Sequence, residues 1–558
     1  MNRRKIPFSL WLLVFFGINF FSQNILGRHH HGHNQEQSSL TSDIDTDEAL
    51  ELFDTDDVVD TLDDPTITKY VQTKTFKGPT QSCSAQNILN TIIPLGVSDL
   101  LEQNFFCHTN PLNTRNLDDE PLFLPHVFQY PQDFMVSSCI FWNQTPKMNF
   151  TASSNSIDCY LALANPNLLS KLPPIQSLLK GLDLARILTL FGTAHVEERR
   201  VGLSMQAAWQ SPFGDLRLFL PIYYFERNFN MTESVKAELA ALTFEPSPGE
   251  QERFKKEHLI SDTLGIGDLR LEWLLPLIDR DTFALKTGIY TTLPTSWAFA
   301  KDIKGSTFCP DAPRPKVNLE ALCQNRDLKN VTDLLFYSLD HLAANLIDAK
   351  FNTQQRHFSI AGMVQSKATL NSLIHRPWAE HFSLHNRTSL EYFTPGWEKR
   401  FYVLNANPAE FARFDKYKNG QGGPDTAPED LAFLENRFVD VVYPYVFDTL
   451  VKPNFVFWWD AKAQYEYANM GGFLGLDFWL KGKEQFGSIR GLKSVCSSLE
   501  VAKARKPLAY QMKALGSLFY KMEQPTYNCI VSFNADKTFL RSGIGKDYTL
   551  VFQFEASF

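Results

Sequence analysis

The sequence predicts an all-β protein: a transmembrane antiparallel β-barrel of about 12 strands, within a range of about 10 to 14, with long, partly helical outer loops and an N-terminal extension. Three observations predict this fold. Apolar and polar residues alternate with a period of two through much of residues 199–558. Aromatic residues make up 13% of the chain, with 46 Phe and 10 Trp, and membrane barrels place aromatic girdles at both interfaces. Short and long connections also alternate along this region.

Residues 1–27 are interpreted as a signal peptide. Arg3, Arg4 and Lys5 form a basic start, and residues 6–21 are an apolar run that is short for a membrane helix. A retained N-terminal anchor is the alternative interpretation. No later stretch reaches the roughly 18 apolar residues that a spanning helix needs, so any further insertion is expected to use strands.

Residues 28–80 are expected to form a flexible segment that is rich in histidine and then in acidic residues. Four histidines lie in residues 28–33, and eleven Asp and Glu lie in residues 43–64, which contain no Lys or Arg and therefore repel one another. Weak binding of a divalent metal or of calcium is the less favoured interpretation. We assign no metal site and no cofactor, and the net charge of −8 argues against nucleic-acid binding.

Residues 81–198 are expected to form an N-terminal region with a possible first strand and a helical segment. Residues 84–133 show no clear period. Alternation at Phe134–Trp142 and Phe150–Ala162 is typical of strands, and leucines at helical spacings predict a helix over residues 167–192.

The barrel is assigned to residues 199–558, where one face of most predicted strands is apolar and the other carries charges of both signs. In a membrane barrel the apolar face contacts lipid, and the polar face lines the lumen. A polar pore and a narrow barrel filled by ion pairs are both compatible with these charges. The residues predicted to face the lumen are Arg200, Asp215, Arg217, Asp268, Arg270, Glu272, Lys286, His385, Arg387, Glu391, Asp460, Lys462, Glu466, Asp477 and Lys481.

Connection lengths predict the strand number and the two ends of the barrel. Short turns follow Trp209, Pro276 and Tyr467, and another lies near residues 523–525. Counting back from the C-terminus gives eleven strands from residue 199, and an even number requires a twelfth, expected within residues 134–162. The long connections, which are expected on the outer side, cover residues 227–264, 295–353, 395–452 and 483–505.

The C-terminal residues 547–558 form the clearest predicted strand. Tyr548, Phe552 and Phe554 share its apolar face, and the chain stops on Phe558. This pattern resembles the C-terminal signal of bacterial outer-membrane proteins, which the barrel-assembly machinery reads in that family. The resemblance implies residence in the outer membrane of a Gram-negative-type bacterium, with Phe558 as the assembly signal. The register of Phe558 with the apolar face of this strand places it on the lipid side, at the periplasmic interface.

A second resemblance concerns one hairpin. Gly265-Ile-Gly-Asp-Leu-Arg-Leu271, followed by Leu293-Pro-Thr295, is similar to a hairpin in the channel group that transports fatty acids and aromatic compounds. In that group the second strand ends in Leu-Pro-Thr-Gly, whereas Ser296 stands at the last position here. The plug motif of the fatty-acid transporters is not apparent at the N-terminus. The resemblance implies a channel-type barrel.

Eight cysteines are compatible with export and with disulfide bonds. Cys309 and Cys323 are predicted to pair in an outer loop, which would stabilise the fold by roughly 3 kcal/mol. Two further pairs could form, in any of three connectivities, among Cys83, Cys107, Cys139 and Cys159.

The predicted function is that of a passive channel or transporter for small solutes, with the lipid bilayer and the assembly machinery as partners. The alternative is a surface or adhesion barrel that acts through its long outer loops. An outer-membrane hydrolase is less favoured, because it needs a Ser–His or Asp–His pair near the outer rim. Ser383, His385 and Ser389 share a strand face, but this spacing is common by chance, so no catalytic residue is assigned.

Overall fold

The structure is a computed structural model. It describes residues 84–558, except for residues 103–105, 124–133, 152–153, 162–183, 212, 244–258, 306–315, 321–339, 350–356, 373, 375, 406, 492–494, 496 and 525–526. The predictions for the signal peptide, for the flexible segment and for the pair Cys309–Cys323 lie outside the described residues.

Strands dominate the described part of the chain. In chain order they are β1 Phe134–Lys147, β2 His195–Ser211, β3 Gly214–Asn230, β4 Ile260–Ile266, β5 Leu269–Arg280, β6 Phe283–Leu293, β7 Trp297–Lys301, β8 Ser359–Thr369, β9 Phe382–Phe393, β10 Gly396–Tyr402, β11 Tyr445–Lys452, β12 Phe455–Tyr467, β13 Met470–Lys481, β14 Gln485–Ile489, β15 Ala509–Glu523, β16 Asn528–Ser542 and β17 Lys546–Ser557.

Twelve of these strands form a closed antiparallel barrel. The order around the ring is β1-β2-β3-β5-β6-β8-β9-β12-β13-β15-β16-β17, and β17 pairs again with β1. Closure gives each strand of the ring a partner on both sides, which satisfies the backbone hydrogen-bonding groups. The predicted fold class and the predicted count of twelve strands are confirmed.

Two strands of the ring, β5 and β6, are interrupted towards one end of the barrel, and the short strands β4 and β7 lie beyond the interruptions. β4 and β5 pair with successive parts of β3 and are separated by Gly267 and Asp268, and β7 follows β6 and pairs with β4. At the break the Asp268 carboxylate accepts a hydrogen bond from the backbone N–H of Ser296 at 3.0 Å. The hairpin singled out in the sequence therefore contains an interruption that alternation alone does not show.

The two ends of the barrel differ in their connections. β2–β3, β5–β6, β12–β13 and β15–β16 are joined by short turns at one end, where β1 begins and β17 ends. We call this the turn end and the opposite end the loop end. The long connections β3–β4, β9–β12 and β13–β15 lie at the loop end, as the sequence predicted, whereas the β16–β17 connection there is short.

Helices and a second sheet lie among these long connections, and further helices lie in the chain before β2. β10, β11 and β14 form a separate antiparallel sheet. Three apolar cores lie outside the barrel lumen, and one of them joins the helices near residue 90 to those near residue 430. No described helix is long and apolar enough to cross a bilayer. The helices are α1 Ala85–Ile92, α2 Val97–Leu101, α3 Ile157–Tyr160, α4 Leu184–Gly192, α5 Glu233–Thr243, α6 Pro408–Phe411, α7 Asp415–Lys418 and α8 Ala427–Val442.

The N-terminal region differs from its sequence prediction in one strand, whereas its predicted helix is confirmed where the structure describes it. The alternation at Phe134–Trp142 is confirmed as β1, but Phe150–Ala162 is not a strand in its described part, because Ser156 caps the short helix α3 by accepting from the Asp158 N–H at 3.3 Å. Within the helix predicted over residues 167–192, only residues 184–192 are described, and they form α4.

The cysteines that the structure describes do not form the predicted further pairs. Cys107, Cys139, Cys159 and Cys529 are free thiols. Cys139 is fully buried on β1 and contacts the Ser204 hydroxyl at 2.9 Å, so its position is satisfied by a neighbouring strand rather than by a disulfide.

Candidate functional site: a plugged lumen

Residues 109–123, which we call the plug segment, lie inside the barrel. The Asn113 side-chain amide donates to the backbone carbonyls of Pro507 at 3.1 Å and Gly543 at 3.0 Å, near the loop end. Nearer the turn end, the carbonyl of Phe123 accepts a hydrogen bond from Gln206 on β2. The segment therefore runs along the lumen and contacts strands on several sides.

Arg115 makes the first charged contact between the plug segment and the wall. Its two terminal nitrogens donate to the two carboxylate oxygens of Asp477 on β13, at 2.5 and 3.0 Å. The Trp458 indole N–H donates to the same carboxylate at 2.5 Å. A two-pronged guanidinium–carboxylate pair fixes orientation as well as distance, so it holds Arg115 in one register against the wall.

Lys513 on β15 makes the second charged contact. Its ammonium lies 2.8 and 2.7 Å from the carboxylate oxygens of Glu120 in the plug segment, and 2.8 Å from Asp547 on β17. Asp536 on β16 lies 3.6 Å away. Because these groups are buried, removing one partner would leave charge without compensation, which is strongly unfavourable.

Apolar residues of the plug segment complete this side. The Phe123 ring meets the Phe141 ring edge to face, with centroids 5.0 Å apart. Such a contact removes apolar surface from water and adds a directional term. The apolar cluster joins Leu117, Leu122 and Phe123 of the plug segment to Cys139, Phe141, Phe219, Phe473, Leu515 and Val551 of the wall.

A second charged group, the arginine cluster, lies on strands β3, β5 and β9. Arg217, Arg270 and Arg387 converge on the carboxylate of Glu272, at 3.6, 2.9 and 2.6 Å. The four side chains are almost fully buried. The plug segment reaches this cluster through Asp119, whose carboxylate lies 3.7 Å from Arg270.

Aromatic rings cover two of these arginines. The Arg270 guanidinium lies 3.6 Å from the ring centre of Tyr290, and Arg387 lies 4.7 Å from the ring centre of Trp458. A cation over an aromatic face gains energy when it is desolvated, so the rings offset part of the cost of burying charge in the lumen.

The structure brings most of the sequence-predicted lumen residues into these contacts. Arg200 donates to the Arg115 carbonyl at 2.7 Å, and Lys462 donates to the Pro121 carbonyl at 3.2 Å. Lys286 pairs with Asp215 at 2.5 Å on the side of the arginine cluster.

The other predicted residues are more scattered. Glu391 accepts from the Tyr290 hydroxyl at 3.3 Å, Asp460 lies 3.7 Å from Lys462, and Glu466 pairs with Lys521. Lys481 is buried near the loop end of β13. Asp268 lies at the strand break described above.

Ser383 and His385 do contact each other, with the serine hydroxyl 2.9 Å from the imidazole Nε2. In the strand register, however, His385 lies opposite Lys367 and Lys462. A catalytic triad orients its histidine with a carboxylate, and two cations beside the ring oppose the imidazolium that such a reaction forms.

At the loop end, a buried ionic cluster joins the small sheet to the barrel. His357 contacts Glu398 at 2.5 Å, and Arg400 lies 2.9 Å from Glu398 and 3.1 Å from Glu484. Burial raises the pKa of Glu398, but Arg400 and His357 outweigh it and lower that pKa to about 2. Burial lowers the pKa of Lys506, next to Glu484, to about 8.

The plug segment is the part of the site that sequence reasoning missed. Its contacts come from polar, charged and apolar residues, in an order of polar and apolar types without a two- or four-residue period: Asn113, Arg115, Leu117, Asp119, Glu120, Leu122 and Phe123. The available signal was a stretch with charges of both signs and apolar residues but without the periodicity of a helix or a strand. Such a segment must find its partners elsewhere in the chain.

No protein-family model matches the chain, and no curated protein matches it. Solved structures with a similar fold include an outer membrane channel from Pseudomonas putida F1, at 9% identity and a TM-score of 0.35, covering 80% of this chain and all (100%) of that one. The toluene transporter TodX of Pseudomonas putida is similar at 7% identity and a TM-score of 0.30, covering 82% of this chain and 97% of that one.

A third similar structure is the transport unit of the autotransporter AIDA-I from Escherichia coli, at 7% identity and a TM-score of 0.29, covering 79% of this chain and 95% of that one. These three proteins share a general barrel likeness with the chain. The fold assignment itself rests on the strand pairings described above.

Proposed function

We propose that this protein is an outer-membrane β-barrel that acts as a passive channel for small solutes and that the plug segment closes it. The proposal assigns the barrel to the envelope of a Gram-negative-type bacterium, and it includes no chemical reaction. The observation that carries it is the plug segment, a separate stretch of chain held in a polar lumen.

Membrane residence is supported by the outward face of the ring. On neighbouring strands, Leu474 is 75% exposed and Leu518 is 73% exposed, whereas the inward residues Asp477 and Lys513 are each 0% exposed. An apolar outer surface around a charged interior is the reverse of a soluble protein, and it matches a barrel whose outer face contacts lipid.

A channel is supported by the kind of contact that closes the lumen. A barrel that serves only as an anchor can fill its interior with side chains of its own wall. Here Asp477 and Lys513 of the wall instead form ion pairs with the plug segment, which is not one of the barrel strands. Water or a polar solute can replace these hydrogen bonds and ion pairs once the segment moves and the lumen is hydrated.

A surface barrel that acts through its loops is the second candidate, because the loop end carries three apolar cores and a second sheet of its own. Folded structure of this extent suits recognition of another molecule. The two candidates differ in whether solutes cross the barrel when the plug segment is loosened.

Planar-bilayer recording of the refolded full chain tests the proposal. Lys513→Gln combined with Arg115→Gln removes the contacts of the plug segment with Lys513 and Asp477, keeps the longer one between Asp119 and Arg270, and is expected to give frequent openings, whereas the wild-type chain opens rarely. Lys537→Gln, an exposed change on β16, is the matched control and is expected to behave as the wild type. A correctly folded double variant that never conducts would reject the channel and favour the surface barrel.

A further inference from the structure

Several buried donors of the arginine cluster have no hydrogen-bond acceptor in the described part of the chain. Arg217 Nε and Nη2 and Arg387 Nε and Nη1 have no hydrogen-bond acceptor among the residues that the structure describes. Both arginines are more than nine-tenths buried, with side chains 8% and 5% exposed. Four donors thus lie in one part of the lumen without the acceptors that buried donors normally have.

These donors lie in a region with three guanidinium groups around one glutamate. The Glu272 Oε1 atom accepts from Arg387 at 2.6 Å, whereas Oε2 lies 3.6 Å from Arg217 and has no hydrogen-bond partner among the described residues, so Glu272 does not satisfy the Arg217 donors. Lys286 adds a further cation, which Asp215 pairs at 2.5 Å. A buried arginine N–H that lacks a partner is costly, and an anion satisfies it better than a neutral acceptor does.

The plug segment already presents a carboxylate to this cluster. Asp119 lies 3.7 Å from Arg270, and its other oxygen accepts from the Trp479 indole N–H at 3.4 Å. Both distances are long for such contacts, which are usually below about 3.2 Å. A free carboxylate is able to approach the arginines more closely than a side chain restrained by the plug segment.

From these contacts we infer that the arginine cluster is a binding site for small organic anions with carboxylate groups, and that a bound anion displaces Asp119 and so favours release of the plug segment. This rests on the proposed channel function and names its substrate class. Asp460 on β12 lies opposite Arg387 in the strand register, and Glu391 on β9 accepts from Tyr290, whose ring covers Arg270. These carboxylates repel an anion on their side, so the anion contacts Arg217 and Arg387 and competes with Asp119 for Arg270.

Binding is tested first, without any requirement for transport. The probe is succinate, with succinamide as the neutral molecule of the same shape, and the readout is the thermal unfolding of the refolded full chain. Succinate is expected to raise the unfolding temperature and succinamide is not. Arg217→Gln and Arg387→Gln are each expected to weaken succinate binding about tenfold or more.

Two variants separate a binding role from a structural one. Arg387→Lys keeps the charge and loses the fork of donors, so it is expected to bind succinate at an intermediate strength. Arg541→Gln, the same charge change at the loop end of β16, is the matched control and is expected to bind as the wild type. An equal response to succinate and succinamide, or an unchanged response in both glutamine variants, would overturn the site.

Planar bilayers then test the consequence for opening. Succinate is expected to raise the open probability of the wild type about fivefold or more, and Arg217→Gln is expected to abolish the increase. Openings that are insensitive to succinate would overturn the inference and leave the channel intact. Silence of the plug-loosened double variant would instead reject the channel itself, while the unfolding measurement still decides whether the anion binds.

Discussion

The two sides of the lumen use buried charge differently. Around β13, β15 and β17, wall residues pair with the plug segment, through Asp477 with Arg115 and Lys513 with Glu120. Around β3, β5 and β9, wall residues pair mainly with one another across the barrel, through Glu272 and its three arginines. One side therefore holds a separate segment, and the other ties strands together.

This difference allows the stability of the barrel and the closure of its lumen to be changed by different substitutions. A contact between two strands of a closed ring cannot open without deforming the ring. A contact between a strand and the plug segment can open while every strand pairing stays in place. Variants on the two sides should therefore divide into those that weaken the barrel and those that mainly free the plug segment.

The largest expected effect follows from Glu272→Ala. Three buried guanidinium groups would lose their shared carboxylate, which should destabilise the barrel by about 3–5 kcal/mol. Denaturant unfolding of the refolded protein in lipid vesicles measures the loss. Glu466→Ala is the control, because Glu466 is 33% exposed and its pairing with Lys521 is screened by water. Equal losses in the two variants would contradict the strand-tying role of Glu272.

Arg115→Gln should destabilise the barrel less than Glu272→Ala does, and should mainly loosen the plug segment. Asp477 keeps its hydrogen bond from Trp458, so the expected loss of global stability is about 1–3 kcal/mol. Hydrogen exchange should become faster in residues 109–123 while it changes little in β13 and β15. Uniform acceleration across the plug segment and the strands would show that the two are not separable.

Twelve strands and their two faces could be predicted because each strand repeats one physical requirement: apolar outside and polar inside. The pairing inside the lumen could not be predicted. Arg387 and Glu272 lie 115 residues apart along the chain, and their contact depends on how far each side chain reaches across the barrel.

The structure at the loop end could not be predicted from the alternation of apolar and polar residues either. The sheet of β10, β11 and β14 joins strands from two long connections. The length of a connection does not indicate which of its residues pair. The plug segment was missed for a related reason, since its contacts are with the wall and not within itself.

The ionic cluster at the loop end also contains buried charge, but it lies outside the lumen and its stability should depend on pH. The pKa of Glu398 is lowered to about 2 from its usual value of 4.5. A carboxyl group with a lowered pKa contributes stability above its unfolded value and loses it as pH falls towards the folded value. The protection factors of the β10 amides, which compare each exchange rate with the intrinsic rate at the same pH, should therefore be constant from neutral pH to about 4.5 and fall below it.

Glu398→Gln serves as the control for this pH dependence. It removes the titrating group, so the protection factors of the β10 amides should no longer fall below about pH 4.5. A fall in protection that begins well above that pH in the wild type would contradict the ion pair with Arg400.

The smallest effect on the folded barrel is expected from deletion of Phe558. Its backbone N–H donates to the Phe134 carbonyl at 2.9 Å, and its ring is 36% exposed at the turn end. Refolding into detergent should change little, because the ring buries less than a core phenylalanine. Levels in the outer membrane of cells should fall sharply if the assembly machinery reads the terminal aromatic residue. Unchanged levels would show that Phe558 is not an assembly signal.

Closure by the plug segment is tested most directly by tethering it. The Phe123 and Phe141 rings lie 5.0 Å apart, one on the plug segment and one on β1. Phe123→Cys and Phe141→Cys, in a chain whose eight native cysteines are replaced by serine, allow a short disulfide-containing linker to join them. In planar bilayers, with Arg115→Gln and Lys513→Gln also present so that the unlinked protein opens frequently, we predict that the linked protein stays closed and that reduction of the linker restores openings. Openings that persist in the fully linked protein would contradict closure by the plug segment.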